Sequence, residues 1–280
     1  MGAIRIGTSG WTYPGWRKTF YPTGLPARRE LAHIASLMNA VEINATFYRL
    51  QSPDTFRRWR AETPDGFRFA IKGSRFITHR KQLGDVEGAL ANFFASGLLL
   101  LGDRMGPFLW QVSERMRFDP AKVGRFLDLL PRDTAEAARL ARRHDDKVAG
   151  RCWTETDAVR PIRHAVEVRH TSFRDDRFLD LLRARGVALV SSDAPGWERM
   201  DELTADFAYA RLHGAEQLYV SGYSDAALDA WAARIRGWML DGAEEVHVYF
   251  DNDAQVRAPF DALNLARRFE RTNFAQTSAS

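Results

Sequence analysis

The sequence predicts an α/β protein, a single (β/α)8 barrel of TIM type, and three observations point there. Short apolar, β-branched runs alternate with stretches of helical period along almost the whole chain. Eight such strands fit into 280 residues, about the length this barrel needs. No glycine-rich dinucleotide fingerprint or P-loop follows any strand, which weighs against a doubly wound open sheet. The expected domain covers residues 1–270, and the polar stretch 271–280 is expected as a disordered tail.

Arg5-Ile6-Gly7 opens the first strand, and the loop from Thr8 to Trp16 carries Trp11, Tyr13 and Trp16. These aromatics read equally well as a stacking wall for a sugar or base and as a hydrophobic plug over the barrel end. Pro26 opens a helix with Leu31, Ile34, Ala35 and Met38 at helical spacing. Val41 to Tyr48 is the second strand, with Val41, Ile43 and Ala45 on one face and Glu42, Asn44 and Thr46 on the other. Ser52 caps the next helix, Pro53 takes its first position, and Phe56 and Trp59 point inward. Phe67 to Lys72 is the third strand; a loop from Ser74 to His79 leads to a helix from about Asp85 with Leu90, Phe93 and Phe94. Phe108 to Val112 is the fourth strand. Asp119-Pro120 starts a helix, an alanine-rich helix fills the 130s, and no period is visible from Asp145 to Pro161.

Ala165 to His170 is the fifth strand, and the helix after it, with Phe178, Leu181 and Leu182, ends at Gly186. Ala188 to Asp193 is the sixth, with a short helix expected near Trp197 to Leu203. Phe207 to Gly214 is the seventh, and Ser224 caps a helix carrying Leu228, Trp231, Ile235 and Trp238. Val246 to Asp251 is the eighth. Asp253 is expected to cap a last helix that bends at Pro259.

The net charge of +4 comes mostly from arginine scattered over helix faces, so nucleic acid is not an expected partner. The single cysteine, Cys152, excludes intrachain disulfides and fits a reducing, cytoplasmic compartment. No secretory leader is expected at Met1, and no apolar run is long enough for a bilayer. Oligomeric state is not legible.

Side-chain alternation aims Glu42, Asn44, Lys72, Gln111, Glu167, Arg169, Asp193, Arg211, His213, Tyr249 and Asp251 at the barrel axis. Charged groups are rarely buried unless paired, and an isolated buried charge costs several kcal/mol. The bland reading is an ion-pair network that only fills the barrel. Hydrophobic replacements would often be as stable, and these charges fall near strand C-termini, where barrels keep their active sites. His213, beside Arg211 and before Gly214, is the acid–base candidate, with Glu42 and Glu167 as carboxylate partners. Trp11, Asn44, Tyr48, Lys72, Gln111, Arg169, Arg211, Tyr249 and Asn252 are the expected binding residues. No cofactor is evident. A divalent metal stays open, because Glu42, Glu167, Asp193, His213 and Asp251 are suitable ligand types, although three cations aim at the same cavity.

Several motifs resemble one family along nearly the whole chain. They are Ile6-Gly-Thr-Ser-Gly-Trp11, Phe20-Tyr-Pro22, Glu42-Ile-Asn-Ala-Thr-Phe-Tyr48, Lys72 with Thr78-His79, Gln111, Glu167-Val-Arg-His170, Arg211-Leu-His-Gly214 and Tyr249-Phe-Asp-Asn-Asp253. The chain is similar to the YecE-like family (domain of unknown function 72). The resemblance implies a TIM-barrel-like fold and a pocket, but no reaction. Two departures stand out: Asp251 replaces the first asparagine of the family's last-strand motif, and Val112-Ser-Glu114 stands where prolines often follow the glutamine. The extra carboxylate makes the pocket more acidic.

The functional expectation is an enzyme acting on a small polar or anionic metabolite, sugar-like or phosphorylated, by His/Glu acid–base chemistry at the C-terminal end of the barrel. A metal-dependent isomerase- or endonuclease-like barrel is one alternative. A non-enzymatic binder of a metabolite or nucleic acid, with Trp11 and Trp16 as stacking platforms, is the other.

Overall fold

A computed structural model describes residues 2–276, with side chains for residues 2–269. Its strands are β1 (Ala3–Thr8), β2 (Ala40–Ile43), β3 (Arg68–Lys72), β4 (Met105–Gln111), β5 (His164–Glu167), β6 (Ala188–Asp193), β7 (Phe207–Leu212) and β8 (Glu245–Phe250). The strand order is β1-β8-β7-β6-β5-β4-β3-β2, which is chain order run once around the sheet. With its parallel pairing this is the (β/α)8 fold of TIM type. The helices are α1 (Glu30–Ala35), α2 (Ala45–Tyr48), α3 (Pro53–Ala61), α4 (Glu87–Ala95), α5 (Pro120–Asp128), α6 (Thr134–Ala141), α7 (Asp176–Arg183), α8 (Asp225–Leu240) and α9 (Ala258–Gln276). By contact the chain forms two compact units, Met1–Val41 with Val190–Ser280, and Glu42–Leu189.

In the first unit β8 is central, paired along its length with β1 on one side and β7 on the other. α9 packs on β1 and β8, and α8 packs on β8 and α9. Leu228, Trp231, Ile235 and Trp238 of α8 recur at helical spacing and are buried, as the sequence predicts. Gly7 is required for packing rather than for its dihedrals. A Cβ there would lie 1.9 Å from the Ala40 carbonyl oxygen, so only glycine lets the two backbones come this close.

In the second unit β4 pairs with β3 and β5, and α4 packs against α6. Phe93, Phe94, Phe108 and Trp110 form the aromatic centre of this core. Buried His164 sits beside them. Its Nδ1 accepts from Trp110 Nε1 at 3.1 Å, and its Nε2 lies 2.8 Å from the Pro131 carbonyl oxygen. A carbonyl can only accept, so Nε2 carries the proton. Burial pushes the His164 pKa down to about 4.

Several expected boundaries move. The second strand stops at Ile43, and the β-branched run beyond it coils into α2. The cause is tertiary: the Thr46 hydroxyl reaches both the Ile43 and Lys72 carbonyl oxygens, at 3.0 and 2.7 Å, tying the ends of β2 and β3 together. The fifth strand ends at Glu167 and the seventh at Leu212, so Arg169 and His213 sit just past strand ends. The helix expected near Trp197 to Leu203 is absent. There Asp201 binds Ser191, Arg199 and Arg234, which holds the segment in a non-helical path. Asp253 does not cap the last helix, which starts at Ala258 with Pro259 in its first turn, where proline causes no bend. α9 continues through residues 271–276 of the expected tail, and 277–280 lie outside the described residues.

Candidate functional site

The second unit places polar side chains, two of them charged, at three consecutive strand ends. Lys72, Gln111 and Glu167 are the last residues of β3, β4 and β5. Gln111 and Glu167 are register partners, so parallel pairing alone sets their side chains next to each other. Glu167 is fully buried. Its Oε1 accepts from Gln111 Nε2 at 2.8 Å and from Arg169 Nη2 at 3.3 Å. Arg169 keeps 18% of its side chain exposed, so this cation pairs with a buried carboxylate while still meeting solvent. Lys72 Nζ lies 4.6 Å from the centre of the Phe47 ring.

His79 joins this cluster from the turn after β3. Its ring packs edge-on against Phe47, and Nδ1 is 2.9 Å from the Thr78 hydroxyl. Burial lowers its pKa, and Lys72 and Arg169 lower it further. Glu167 and Glu114 act in the opposite sense but more weakly. Burial and the two cations thus favour the neutral imidazole. Asn44 ends β2 in helical conformation, with a buried Oδ1 that meets no hydrogen-bond donor.

The first unit gathers a cluster of its own from Arg211 on β7 and residues just past β1, β7 and β8. Arg211 is fully buried, and its Nη2 donates to Asp251 at 2.9 Å and Ser9 Oγ at 3.1 Å. His213, also fully buried, has Nδ1 3.2 Å from Asp251 Oδ2 and Nε2 3.4 Å from Arg211 Nη1. The Nδ1 contact is close but not aligned as a hydrogen bond. The rings of Trp197 and Tyr219 each lie 5.4 Å from the imidazole. Asp253 accepts from Trp16 Nε1, while burial and the Asp251 charge push its carboxyl up to about 6.

The other expected residues sort as follows. Glu42 is fully buried on β2. Asp193 accepts from Trp231 Nε1 at 2.8 Å and faces Arg199 at 3.7 Å. Asn252 is fully buried; its amide donates to Ser221 and Asp261, and its Oδ1 is unpartnered. Tyr249 lies deeper, its hydroxyl 3.0 Å from Nδ1 of buried His247, in a stack that continues through Glu245 to Arg5. Burial opposes ionisation of Glu245, yet His247 and Arg5 hold its carboxyl well below the usual range. Two expectations fail on placement. Tyr48 is 66% exposed because the helical turn of α2 carries it outward. Trp11 and Trp16 are buried, so neither offers a surface stacking platform.

Among the described residues, no three of His, Cys, Asp or Glu form a set that could hold a metal ion. Glu167, Asp193 and Asp251 each face an arginine instead. Sequence reasoning passed over His79, Ser9 and His247 as site residues. His79 follows a threonine on a segment with no strand period, so alternation gives it no direction. His247 shares its face of β8 with Tyr249 and Asp251, and that parity was legible.

The family described as "Protein of unknown function DUF72" matches residues 5–280. The chain belongs to the DUF72 family. Among curated relatives, the UPF0759 protein YecE of Escherichia coli K12 is 31% identical over 131 residues, covering 46% of this chain and 44% of that one. The UPF0759 protein YunF of Bacillus subtilis is 32% identical over 75 residues, or 27% of this chain and 26% of that one. The chain thus matches less than half the length of these curated relatives. Among solved structures, a DUF72 family protein from Thermotoga maritima superposes with a TM-score of 0.75 at 24% identity, covering 96% of this chain and 99% of that one. One from Enterococcus faecalis gives 0.72 at 17% identity, over 95% of each. At these identities the likeness concerns the fold, and this DUF72 chain shares it. No helix among its described residues is long and apolar enough to cross a membrane.

Proposed function

We propose that this DUF72 protein is an enzyme that binds a small anionic metabolite, sugar-like or phosphorylated, at the ends of β3, β4 and β5, and moves a proton on it. The observation that carries the reading is the placement of two cations, Lys72 at the end of β3 and the part-exposed Arg169 just past β5, where both act on the half-buried His79 ring. A ligand anion would relieve the mutual repulsion of these cations. Arg169 offers it a planar fork of donors, and Lys72 a point charge. Glu167, itself held by Gln111, also orients Arg169. Binding alone would need no imidazole and no buried carboxylate beside the cations. Their presence favours acid–base chemistry over a passive binder.

His213 with Asp251, and Glu167, remain acid–base candidates within their own clusters. His213 is closed in by Trp197 and Tyr219, which favours the second unit's cluster as the place a ligand reaches. The test is calorimetric titration with inorganic phosphate at constant ionic strength. Arg169→Gln is expected to bind at least about tenfold more weakly than wild type, since a charge-assisted hydrogen bond contributes on the order of 1.5–3 kcal/mol. Equal affinities in the two proteins would refute an anion site at Arg169.

A further inference from the structure

The segment that presents His79 is unusual in its backbone. Residues Phe76–Arg80 form a π-helical turn, a rare geometry that recurs at functional sites. Directly after it Gln82, Leu83 and Asp85 all have positive φ, at 46°, 66° and 48°. For a bulky residue such as Leu83 this is a strained conformation, held only because its surroundings over-determine it. Leu83 is buried, and its amide donates to the Ile77 carbonyl oxygen at 3.0 Å, so the strained stretch is clamped onto the turn. The chain therefore spends conformational energy to place one short turn, and the ionisable group on that turn that joins the cluster is His79.

The hydrogen bonds around the turn also choose a tautomer. Thr78 is fully buried, and its hydroxyl oxygen lies 3.3 Å from the Ser74 carbonyl oxygen and 2.9 Å from His79 Nδ1. A hydroxyl has one proton, and a carbonyl can only accept. With the Thr78 proton directed to Ser74, Nδ1 carries a hydrogen and donates it to Thr78. That leaves Nε2 with a lone pair and, among the described residues, no hydrogen-bond partner. The ring is half-buried rather than sealed.

We propose that His79 is the catalytic base of this site, holding its own proton on Nδ1 and using Nε2 to remove and return a proton of the bound anionic substrate. This rests on the anion-binding reading given above. In the step, the substrate's C–H or O–H bond breaks, its proton bonds to Nε2, and the electron pair stays on the substrate as an enolate or alkoxide. Lys72 and Arg169 are the cations placed to stabilise that developing charge. Return of the proton from the imidazolium to the same or a neighbouring atom closes the cycle, so no oxidant or further reactant is needed. The groups facing the ring are Lys72 and Arg169, which favour the neutral base, and Glu167 and Glu114, which oppose them. A substrate anion lying on the two cations would cancel part of their effect and make the imidazole a stronger base only when the site is filled.

The test uses the full chain with ¹⁵N-labelled histidine, the His79 signals being assigned by their loss in His79→Gln. Long-range ¹H–¹⁵N spectra at pH 7 are expected to show His79 neutral with Nδ1 protonated. Thr78→Val should remove that tautomer preference. Saturating inorganic phosphate should raise the His79 pKa in wild type but not in Arg169→Gln. If phosphate binds and depends on Arg169, yet His79 is Nε2-protonated or its pKa does not move, the base assignment is wrong and the anion site stands. If phosphate leaves the cluster unchanged altogether, the anion-binding reading fails and this proposal falls with it.

Discussion

His164 shows how one side chain can make stability depend on pH without touching a ligand. Its neutral form is built into the core by Trp110 and Pro131, and burial holds its pKa near 4 against about 6.5 when unfolded. Between those values the unfolded chain binds more protons than the folded one, so stability rises with pH. The contribution is complete above about pH 6.5 and is lost as the pH falls toward 4, amounting to about 3 kcal/mol. His164→Gln should therefore flatten the fall in denaturant midpoint between pH 7 and pH 4 relative to wild type. An unchanged slope would mean that His164 is not held neutral. His79 shares the direction of shift but not the setting. Burial is the largest cause at both, but His79 is only half-buried and carries two cations, Lys72 and Arg169, next among its causes.

Several helices here begin where a capping side chain says they should, while element ends follow tertiary contacts. Asp119, Asp133, Asp175 and Ser224 each accept a backbone N–H in the first turn of their helix. The Ser224 bond, from Ala227 N at 3.2 Å, starts the long helix α8. Ser224→Ala is expected to cost about 1 kcal/mol by chemical denaturation, with the same m-value as wild type. A variant as stable as wild type would show that α8 is held by its buried Trp231 and Trp238 face alone. Element ends behave differently. The run from Ala45 to Tyr48 has the composition of a strand, but the Thr46 hydroxyl finds the ends of both β2 and β3, and the chain turns into a helix. That is why Tyr48 lies outside and Asn44 at the strand tip.

At the scale of the molecule, the fold depends on a few positions where backbones nearly touch. Gly7 faces the Ala40 carbonyl oxygen, and neither partner is the flexible end of a side chain. Gly7→Ala should cost more than about 3 kcal/mol or abolish soluble expression, because relief would need one strand to move away from the other. A Gly7→Ala protein with wild-type melting would mean that β1 and β2 can separate without loss.

Alternation along strands, capping residues and the length of the chain determine the (β/α)8 fold and which residues can face inward, because those signals have a range of two to four residues. Alternation by itself could put Gln111, Glu167, Arg211 and Asp251 each on the polar face of its own strand run. Their pairing required strands far apart in the chain to come into register. Periodicity gave no direction to His79, whose segment stood out only as part of the Thr78-His79 motif. Its orientation follows from a π-helical turn clamped by Leu83, and its charge state from burial first and then from Lys72 and Arg169, which act from elsewhere in the chain. Periodicity is local and survives in the sequence; charge pairing and proton placement depend on distances across the fold, and only the tertiary structure sets those.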